Sequence, residues 1–259
     1  MTASNRAEHE IAHGRKLSEA GAEQVWGWGT PAGQVRFRRR ADWIAAQAGL
    51  RSGVRVLEIG CGTGNFTEVF AASGADLLAL DISEDLLERA RERRLPGNVR
   101  FVCQPFETLD EAGGFDAVIG SSVLHHLDIH PALAEIFRLL RSPDPASGKP
   151  GGVMAFAEPN MLNPQIMIEK NIPWIKERMG DSPDETAFFR WQMRRLLREA
   201  GFTGIEVTPR DWLHPAIPPA AIGFFEKVGS ALEKIPLVRE FAGSLYICAR
   251  RPAGTGGTR

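Results

Sequence analysis

The sequence predicts a doubly wound α/β domain built on a mostly parallel sheet, and three observations carry that prediction. The apolar run Val54-Arg55-Val56-Leu57-Glu58-Ile59 breaks into Gly60-Cys61-Gly62-Thr63-Gly64 before a helical pattern resumes at Asn65-Phe66, which reads as strand, tight turn, helix. A second apolar run, Asp76-Leu77-Leu78-Ala79-Leu80-Asp81, ends in an acid twenty-one residues past Gly60. Short apolar segments bounded by turn signals then alternate with helical ones, as parallel strands covered on both faces do.

Taken in order, residues 1–33 are expected to form an arm or lid. Before about Gln24 they carry few large apolar groups, which suggests loose packing or a short helix, and His9 and His13 read as part of a solvated helix face. Trp26-Gly27-Trp28-Gly29-Thr30-Pro31 sets two large apolar planes on a bendable segment. Trp26 and Trp28 are therefore candidate substrate contacts, as a lid or as a staple onto the domain. Residues 34–250 are expected to be one domain. Its first helix buries Phe37, Ala41, Ile44, Ala45 and Ala48, and Arg36, Arg38, Arg39 and Arg40 read as a solvated basic face from which one arginine could meet a carboxylate or phosphate.

After the glycine turn, Ser83 caps a helix with Glu84 and Asp85 in its first turn and Leu86, Leu87 and Ala90 buried. Val99–Cys103 and Phe115–Gly120 are the third and fourth strands, and Pro131 opens the next helix. Ser142–Gly152 is a surface loop before a fifth strand, Val153–Glu158. An insertion at about 159–183 follows, and Ser182-Pro183-Asp184-Glu185 reads as the capping box of a helix burying Phe189, Met193, Leu196, Leu197 and Ala200. Ile205–Thr208 is the sixth strand, residues 209–243 a second insertion, Ser244–Arg250 the last strand and 251–259 a tail. Helical crossovers imply right-handed connections, and ligands in such sheets sit beyond the carboxyl ends of the strands. Both insertions leave from those ends, as helical lids over the site.

Composition narrows the function. The 259 residues, 43% hydrophobic, suffice for one substantial core. Thirty-one basic and thirty-two acidic residues give a net charge of −1, so no overall field steers the chain onto nucleic acid. No apolar leader or eighteen-residue apolar run is present, which makes the cytoplasm the expected compartment. Cys61, Cys103 and Cys248 lack CxxC spacing, so neither a zinc site nor any other metal is expected.

The glycines at 60, 62 and 64 permit positive φ and a close ligand approach, while Asp81 stands where an adenosine ribose would present its hydroxyls. A dinucleotide fingerprint needs a third glycine at position 65, where this chain has Asn65, and NAD is disfavoured. Glu58-Ile59-Gly60-Cys61-Gly62-Thr63-Gly64, with Asp81 and Ser121-Ser122-Val123-Leu124-His125-His126-Leu127, instead resembles the class I S-adenosylmethionine-dependent methyltransferases of the small-molecule type. The resemblance covers roughly residues 34–250. It implies a Rossmann-like, seven-stranded sheet whose last strand is antiparallel, with S-adenosylmethionine as cofactor. It also implies that Gly60, Cys61 and Gly62 lie beneath the cofactor, Glu58 near its amino-acid end, Asp81 on the ribose, Ile82 against adenine and Ser121 near the methionine moiety. The family's acid after the third strand is replaced by Pro105, so adenine recognition passes to Gln104, to the Phe106 backbone or to Glu107.

A sulfonium is already an activated electrophile, so such a protein has mainly to exclude water and align the acceptor. If the accepting atom is a hydroxyl or amine, a histidine can take its proton. His126 is the expected base, with His214 as the other candidate and Asp211 and Glu158 as weaker ones. Trp212 and Phe225, in the second insertion, are expected beside the acceptor, with the stripe Ile222, Phe225, Val228, Leu232 and Ile235 packed down over the pocket. The expected reaction is methyl transfer to a small or medium-sized, partly apolar metabolite, with no nucleic-acid partner. The alternatives are a cofactor-binding regulatory subunit without transfer activity, and a lipid methyltransferase at a membrane surface; peripheral membrane contact is disfavoured by the balanced charge of the second insertion. The sequence leaves the acceptor and the oligomeric state open.

Overall fold

The computed structural model describes residues 3–146, 148–178, 182 and 185–253. The expected tail falls mostly outside them, at 254–259, as do Pro183 and Asp184 of the expected capping box. Seven described strands form one sheet in the order β3-β2-β1-β4-β5-β7-β6. The strands are β1 (Arg55–Ile59), β2 (Asp76–Asp81), β3 (Val99–Cys103), β4 (Ala117–Ser121), β5 (Val153–Pro159), β6 (Thr203–Arg210) and β7 (Ser244–Arg250). Neighbours from β3 to β5 pair in parallel, and β7 runs antiparallel to both β5 and β6. The expected sheet is thus the observed one, with strand order reversing between β1 and β4, where a crevice opens at the carboxyl ends.

Two apolar layers hold the sheet. On one face Leu57, Ile59, Val118, Phe156 and Ile247 pack with α6 (Ile129–Leu139) and α9 (Arg190–Glu199). On the other, Val56, Leu77, Ile119, Ala155 and Tyr246 meet α3 (Pro31–Ala48) and α4 (Asn65–Ala71). Strand alternation distributes these side chains, and it also sends Glu58 to the second face. The start and stop of α3 are written locally: Thr30 Oγ1 accepts the Gly33 N–H at 3.0 Å, Pro31 is its first residue, and Gly49 ends it at φ 62°.

The amino-terminal arm differs from a loose or short segment. It forms an eighteen-residue helix, α1 (Ala3–Ala20), and a short α2 (Ala22–Val25). α1 lies on α5 (Glu84–Glu92): Leu17 packs with Leu86 and Trp26, and a Cβ at Gly14 would lie 2.4 Å from Ser83 Oγ. Gly14 is what lets the two helices touch.

Three further expectations are corrected. Ser182 and Glu185 do not open a helix, because the next described helix, α9, begins at Arg190; the Ser182 N–H donates to Glu185 Oε2 at 3.0 Å. α6 begins at Ile129, two residues before Pro131. The second insertion is shorter, since β6 runs through Arg210, and its helix α10 (Ile222–Leu232) packs its apolar side down only in part and away from the cavity, with Gly229 buried and Ile222, Val228 and Leu232 half-buried. Phe224 is 65% exposed and Phe225 38%, while Leu237 just beyond is 82% exposed. The first insertion carries α7 (Pro164–Asn171) and α8 (Pro173–Arg178), where Ile168 and Trp174 are also exposed.

Candidate active site

The turn after β1 holds Gly60, Gly62 and Gly64 at φ 67°, 53° and 77°, all in the left-handed region. A Cβ at Gly60 would lie 2.5 Å from Val123, and one at Gly62 would lie 2.9 Å from the Trp26 ring. The turn is therefore clamped between the segment after β4 and the arm. Asp81, at the end of β2, accepts the Gly62 N–H on Oδ2 at 2.8 Å and the Ser83 N–H on Oδ1 at 2.9 Å. Burial raises its pKa against those two hydrogen bonds. Each oxygen keeps a further lone pair, so the carboxylate can still accept from two hydroxyls.

Above this turn lies a cavity of about 850 Å³, near the top of the range for small-molecule sites. Of the residues expected from the sequence, Gly60, Cys61, Gly62, Asp81, Ile82, Gln104, Phe106, Ser121, His126, Trp26 and Trp28 all line it. Glu58 does not. It is buried behind the turn, where desolvation raises its carboxyl to about 8. His214, Trp212 and Phe225 are not at the cavity either. His214 Nδ1 accepts the Ala216 N–H at 3.1 Å within its own turn, Trp212 lies against Gly229 of α10, and Phe225 faces outward against Phe224. Asp211 is spent on Arg40, at 3.3 Å, and on the Tyr246 hydroxyl, at 3.1 Å.

The arginines are not one solvated face. Arg38 is exposed and Arg39 pairs with Glu233, but Arg40 is buried, donating to Ser121 and Ser122 Oγ at 3.1 Å each and to Ser244 Oγ at 2.7 Å. Arg36 also lines the cavity, 4.7 Å above the Trp28 ring. Burial, then the like charge of Arg40, lowers its pKa to about 10. A desolvated guanidinium at a cavity wall suits a ligand carboxylate.

Both histidines after β4 line the cavity, because the chain turns there in a short 3₁₀ segment, 124–126. Their partners differ. His125 is buried between two acids, with Nδ1 at 2.6 Å from Glu158 Oε2 and Nε2 at 3.3 Å from Glu185 Oε1. Burial alone would lower its pKa, but the hydrogen bonds and charges of Glu158 and Glu185 raise it to about 9. His125 is thus an imidazolium at neutral pH with both nitrogens engaged. His126 instead has Nδ1 at 2.9 Å from Glu10 Oε2, on α1. His125, His126 and Glu185 bring ligand-type atoms within 4.8 Å of one another, yet Lys170 already sits on Glu185 and supplies the cation there.

Several cavity residues were not anticipated, namely Arg6, Glu10 and His13 of α1 and Glu185, while Arg36 and Arg40 of α3 come from the basic face of which one arginine was expected to be able to meet a carboxylate or phosphate. The signal for the first group was the spacing of positions 6, 10, 13 and 17, which puts them on one helix face.

Comparison with known proteins agrees with this arrangement. Residues 56–143 match the model of a family described as a methyltransferase domain. The ubiquinone biosynthesis O-methyltransferase of Methylococcus capsulatus is 31% identical over 207 residues, covering 70% of this chain and 81% of that protein. That of Bordetella bronchiseptica is 34% identical over 133 residues, and the match spans about half of each protein, 50% of this chain and 52% of the relative. A crystal structure of Burkholderia thailandensis 1,6-didemethyltoxoflavin-N1-methyltransferase shares the fold, with TM-score 0.63, 21% identity and coverage of 97% of this chain and 91% of that one.

Proposed function

This chain belongs to the class I S-adenosylmethionine-dependent methyltransferase family, and from that premise we propose that it transfers a methyl group to a hydroxyl of a small or medium-sized, partly apolar acceptor. The observation that carries the reading is the His126 imidazole on the wall of the cavity that also exposes Gly62 and Asp81. The residues present fit the cofactor. Asp81 would accept from the ribose hydroxyls, Ile82 and Phe106 would flank adenine, and Arg36, with Ser121 nearby, would meet the methionine carboxylate. S-adenosylmethionine, when bound, supplies a methyl group already activated on a sulfonium.

The protein's own part is alignment and proton transfer. Trp26 and α1 cover the cofactor side and exclude water. His126 takes the acceptor proton on Nε2, since Nδ1 faces Glu10. Such base assistance is worth about 10²–10⁴ in rate. His125, charged and fully engaged, holds the turn rather than accepting a proton. Calorimetry with S-adenosylhomocysteine and with NAD, followed by radiolabelled methyl transfer to a panel of alkylated phenols and catechols, tests the reading. Binding of NAD alone would overturn the cofactor assignment, and binding without transfer would favour a regulatory subunit.

One observation favours a second reading, in which the acceptor is drawn from a membrane surface. Phe224, Ile235, Leu237 and Phe241 are exposed in and beyond α10, and the hydrogen bond from Asn163 Nδ2 to Phe241 O, 2.9 Å, joins that surface to α7. Exposed apolar groups beside a helix with balanced charge can insert at an interface without strong lipid-charge dependence. No described helix is long and apolar enough to cross a membrane. Co-sedimentation with neutral vesicles, lost in Phe224→Ser/Leu237→Ser, would support this reading; no co-sedimentation would exclude it.

A further inference from the structure

We propose that Ser122 and Ser244, backed by Arg40, form a pair of hydroxyl donors for a second oxygen that the acceptor carries near the hydroxyl it offers for methylation. The proposal rests on the reading that the acceptor is a hydroxyl compound, and it adds the class: a phenol whose ring bears a further hydroxyl, methoxy or carbonyl oxygen. Its grounds are a hydrogen-bond count. Arg40 Nη1 donates to Ser121 and Ser122 Oγ at 3.1 Å each, and Nη2 donates to Ser244 Oγ at 2.7 Å. A serine hydroxyl that accepts from a guanidinium still has its own hydrogen to give. Among the described residues, none of the three hydroxyls gives that hydrogen to a protein acceptor.

Burial makes those hydrogens costly to leave idle. Ser244 is 4% exposed and Ser121 and Ser122 are half-buried, yet all three line the cavity. Asp211, the carboxylate that pairs with Arg40, is turned to other donors: it accepts from Arg40 Nη2 at 3.3 Å on Oδ2 and from the Tyr246 hydroxyl at 3.1 Å on Oδ1. The serine hydrogens are therefore available to a ligand in the cavity, and the guanidinium behind them strengthens each as a donor. Ser122 is held at φ 55°, with its N–H on the Ala157 carbonyl at 2.8 Å, so its place in the wall is set before any ligand enters.

Position in the sheet gives Ser122 and Ser244 to the acceptor rather than to the cofactor. The glycine turn follows β1, whereas Ser122 follows β4 and Ser244 opens β7, on either side of β5 in the order β1-β4-β5-β7. Strands lie about 4.8 Å apart, so the start of β7 stands roughly 14 Å across the sheet from the end of β1. With Arg36 and Ser121 assigned to the methionine carboxylate, Ser122 and Ser244 are the donors left over. Ser122 and His126 belong to the one segment that follows β4 and line the same cavity, so a ring whose hydroxyl meets His126 can offer a neighbouring oxygen to the serines. A ring with a single oxygen would leave both donors unpaired, which a buried site penalises.

The test measures binding without a methyl donor, by calorimetry on the full chain saturated with S-adenosylhomocysteine. The probes are 2-methoxyphenol against 2-ethylphenol and 3-methoxyphenol against 3-ethylphenol, so that each pair exchanges an ether oxygen for a methylene of similar shape. Wild type is expected to bind one methoxy probe at least about tenfold more tightly than its ethyl partner. Ser122→Ala/Ser244→Ala should bring that ratio to within about twofold, and each single variant should lower it part-way. Arg40 keeps Ser121 and Asp211 as partners in the double variant, so its melting temperature and its affinity for S-adenosylhomocysteine are expected to stay close to wild type. Should the double variant not fold, the single variants decide by the same ratio. Equal affinity within both pairs in wild type, failure of all four probes to bind at millimolar concentration, or a ratio that survives the substitutions overturns the proposal. So does a folded variant that loses S-adenosylhomocysteine instead, since the hydroxyls would then serve the cofactor. Methyl transfer in the phenol panel is scored separately: if the methoxy preference depends on the serines but no probe is methylated, the transfer reading fails and the donor pair stands.

Discussion

Asp81→Asn is the sharpest probe of the cofactor side, because this carboxylate has one task in the fold and a separable, proposed one toward the ribose. Its oxygens accept backbone N–H groups from Gly62 at 2.8 Å and Ser83 at 2.9 Å, one from each flank of the pocket. An amide can accept only one of them, and the other buried N–H then faces an NH₂ group, which costs about 1–3 kcal/mol. The apparent melting temperature should fall by about 2–4 °C for each of those kcal/mol. The same substitution removes one charge-assisted acceptor from the ribose. At about 1.5–3 kcal/mol per contact, the affinity for S-adenosylhomocysteine should drop roughly 10- to 100-fold. Calorimetry well below the unfolding transition, paired with thermal melts, resolves the two effects. A lowered melting temperature with affinity within about twofold of wild type would refute the reasoning: Asp81 would then only hold the glycine turn, and the ribose would lie elsewhere.

Four other outcomes are expected. Trp26→Ala should weaken S-adenosylhomocysteine binding, read by calorimetry, since its ring covers Gly62 and seats α1. Glu58 keeps its proton in the fold up to about pH 8 but only to about 4.5 when unfolded, so the stability it contributes is present at low pH and lost as pH rises through 8; Glu58→Gln should flatten that part of the melting-temperature profile. Glu158→Gln should destabilise by about 3–5 kcal/mol in chemical denaturation, because Glu158 is fully buried, pairs with His125 and accepts the Val123 and Leu124 N–H groups at 3.0 Å. Gly223→Ala should be neutral or stabilising by up to about 1 kcal/mol, whereas Gly229→Ala, whose Cβ would lie 3.0 Å from Trp212, should lose that gain; equal effects would contradict the seating of α10.

The glycine-turn half of the candidate site was legible because its determinants are local. Asp76–Asp81 is an apolar run between two acids and Val99–Cys103 an apolar run interrupted only by Arg100, and their bounds in the fold are those read from the chain. Gly60, Gly62 and Asp81 sit within about twenty residues of one another, inside one strand–helix–strand unit. Glu58 was misplaced for a local reason too: strand alternation turns it to the face of α4, not to the crevice. The acceptor half was hidden because its partners meet from far apart. Glu10 and His126 are separated by 116 positions (126 − 10), and the stripe that carries Glu10 is polar, so hydrophobic periodicity is silent about it. Ser182 and Glu185 formed half of a capping box and no helix, because Lys170 and His125 draw the Glu185 carboxylate into the site.

The exposure of the phenylalanines of α10 has a different cause. An amphipathic pattern says that a helix has an apolar side, and the usual inference is that this side faces the protein. Which side seats best depends on the shape beneath it. Here the surface under α10 is occupied by Trp212, whose half-buried side chain leaves room only for a residue without a Cβ, and Gly229 is the one buried residue of the helix. Seating Phe225 on the same spot would require displacing Trp212. Ile222, Val228 and Leu232 stay half-buried on the Gly229 side while Phe224 and Phe225 are exposed, and Ile235 and Leu237 continue the exposed surface beyond the helix. No residue of α10 lines the cavity, and its cover is supplied instead by α1 and Trp26. The arm thus borders the cavity, while the exposed apolar groups of α10 lie away from it.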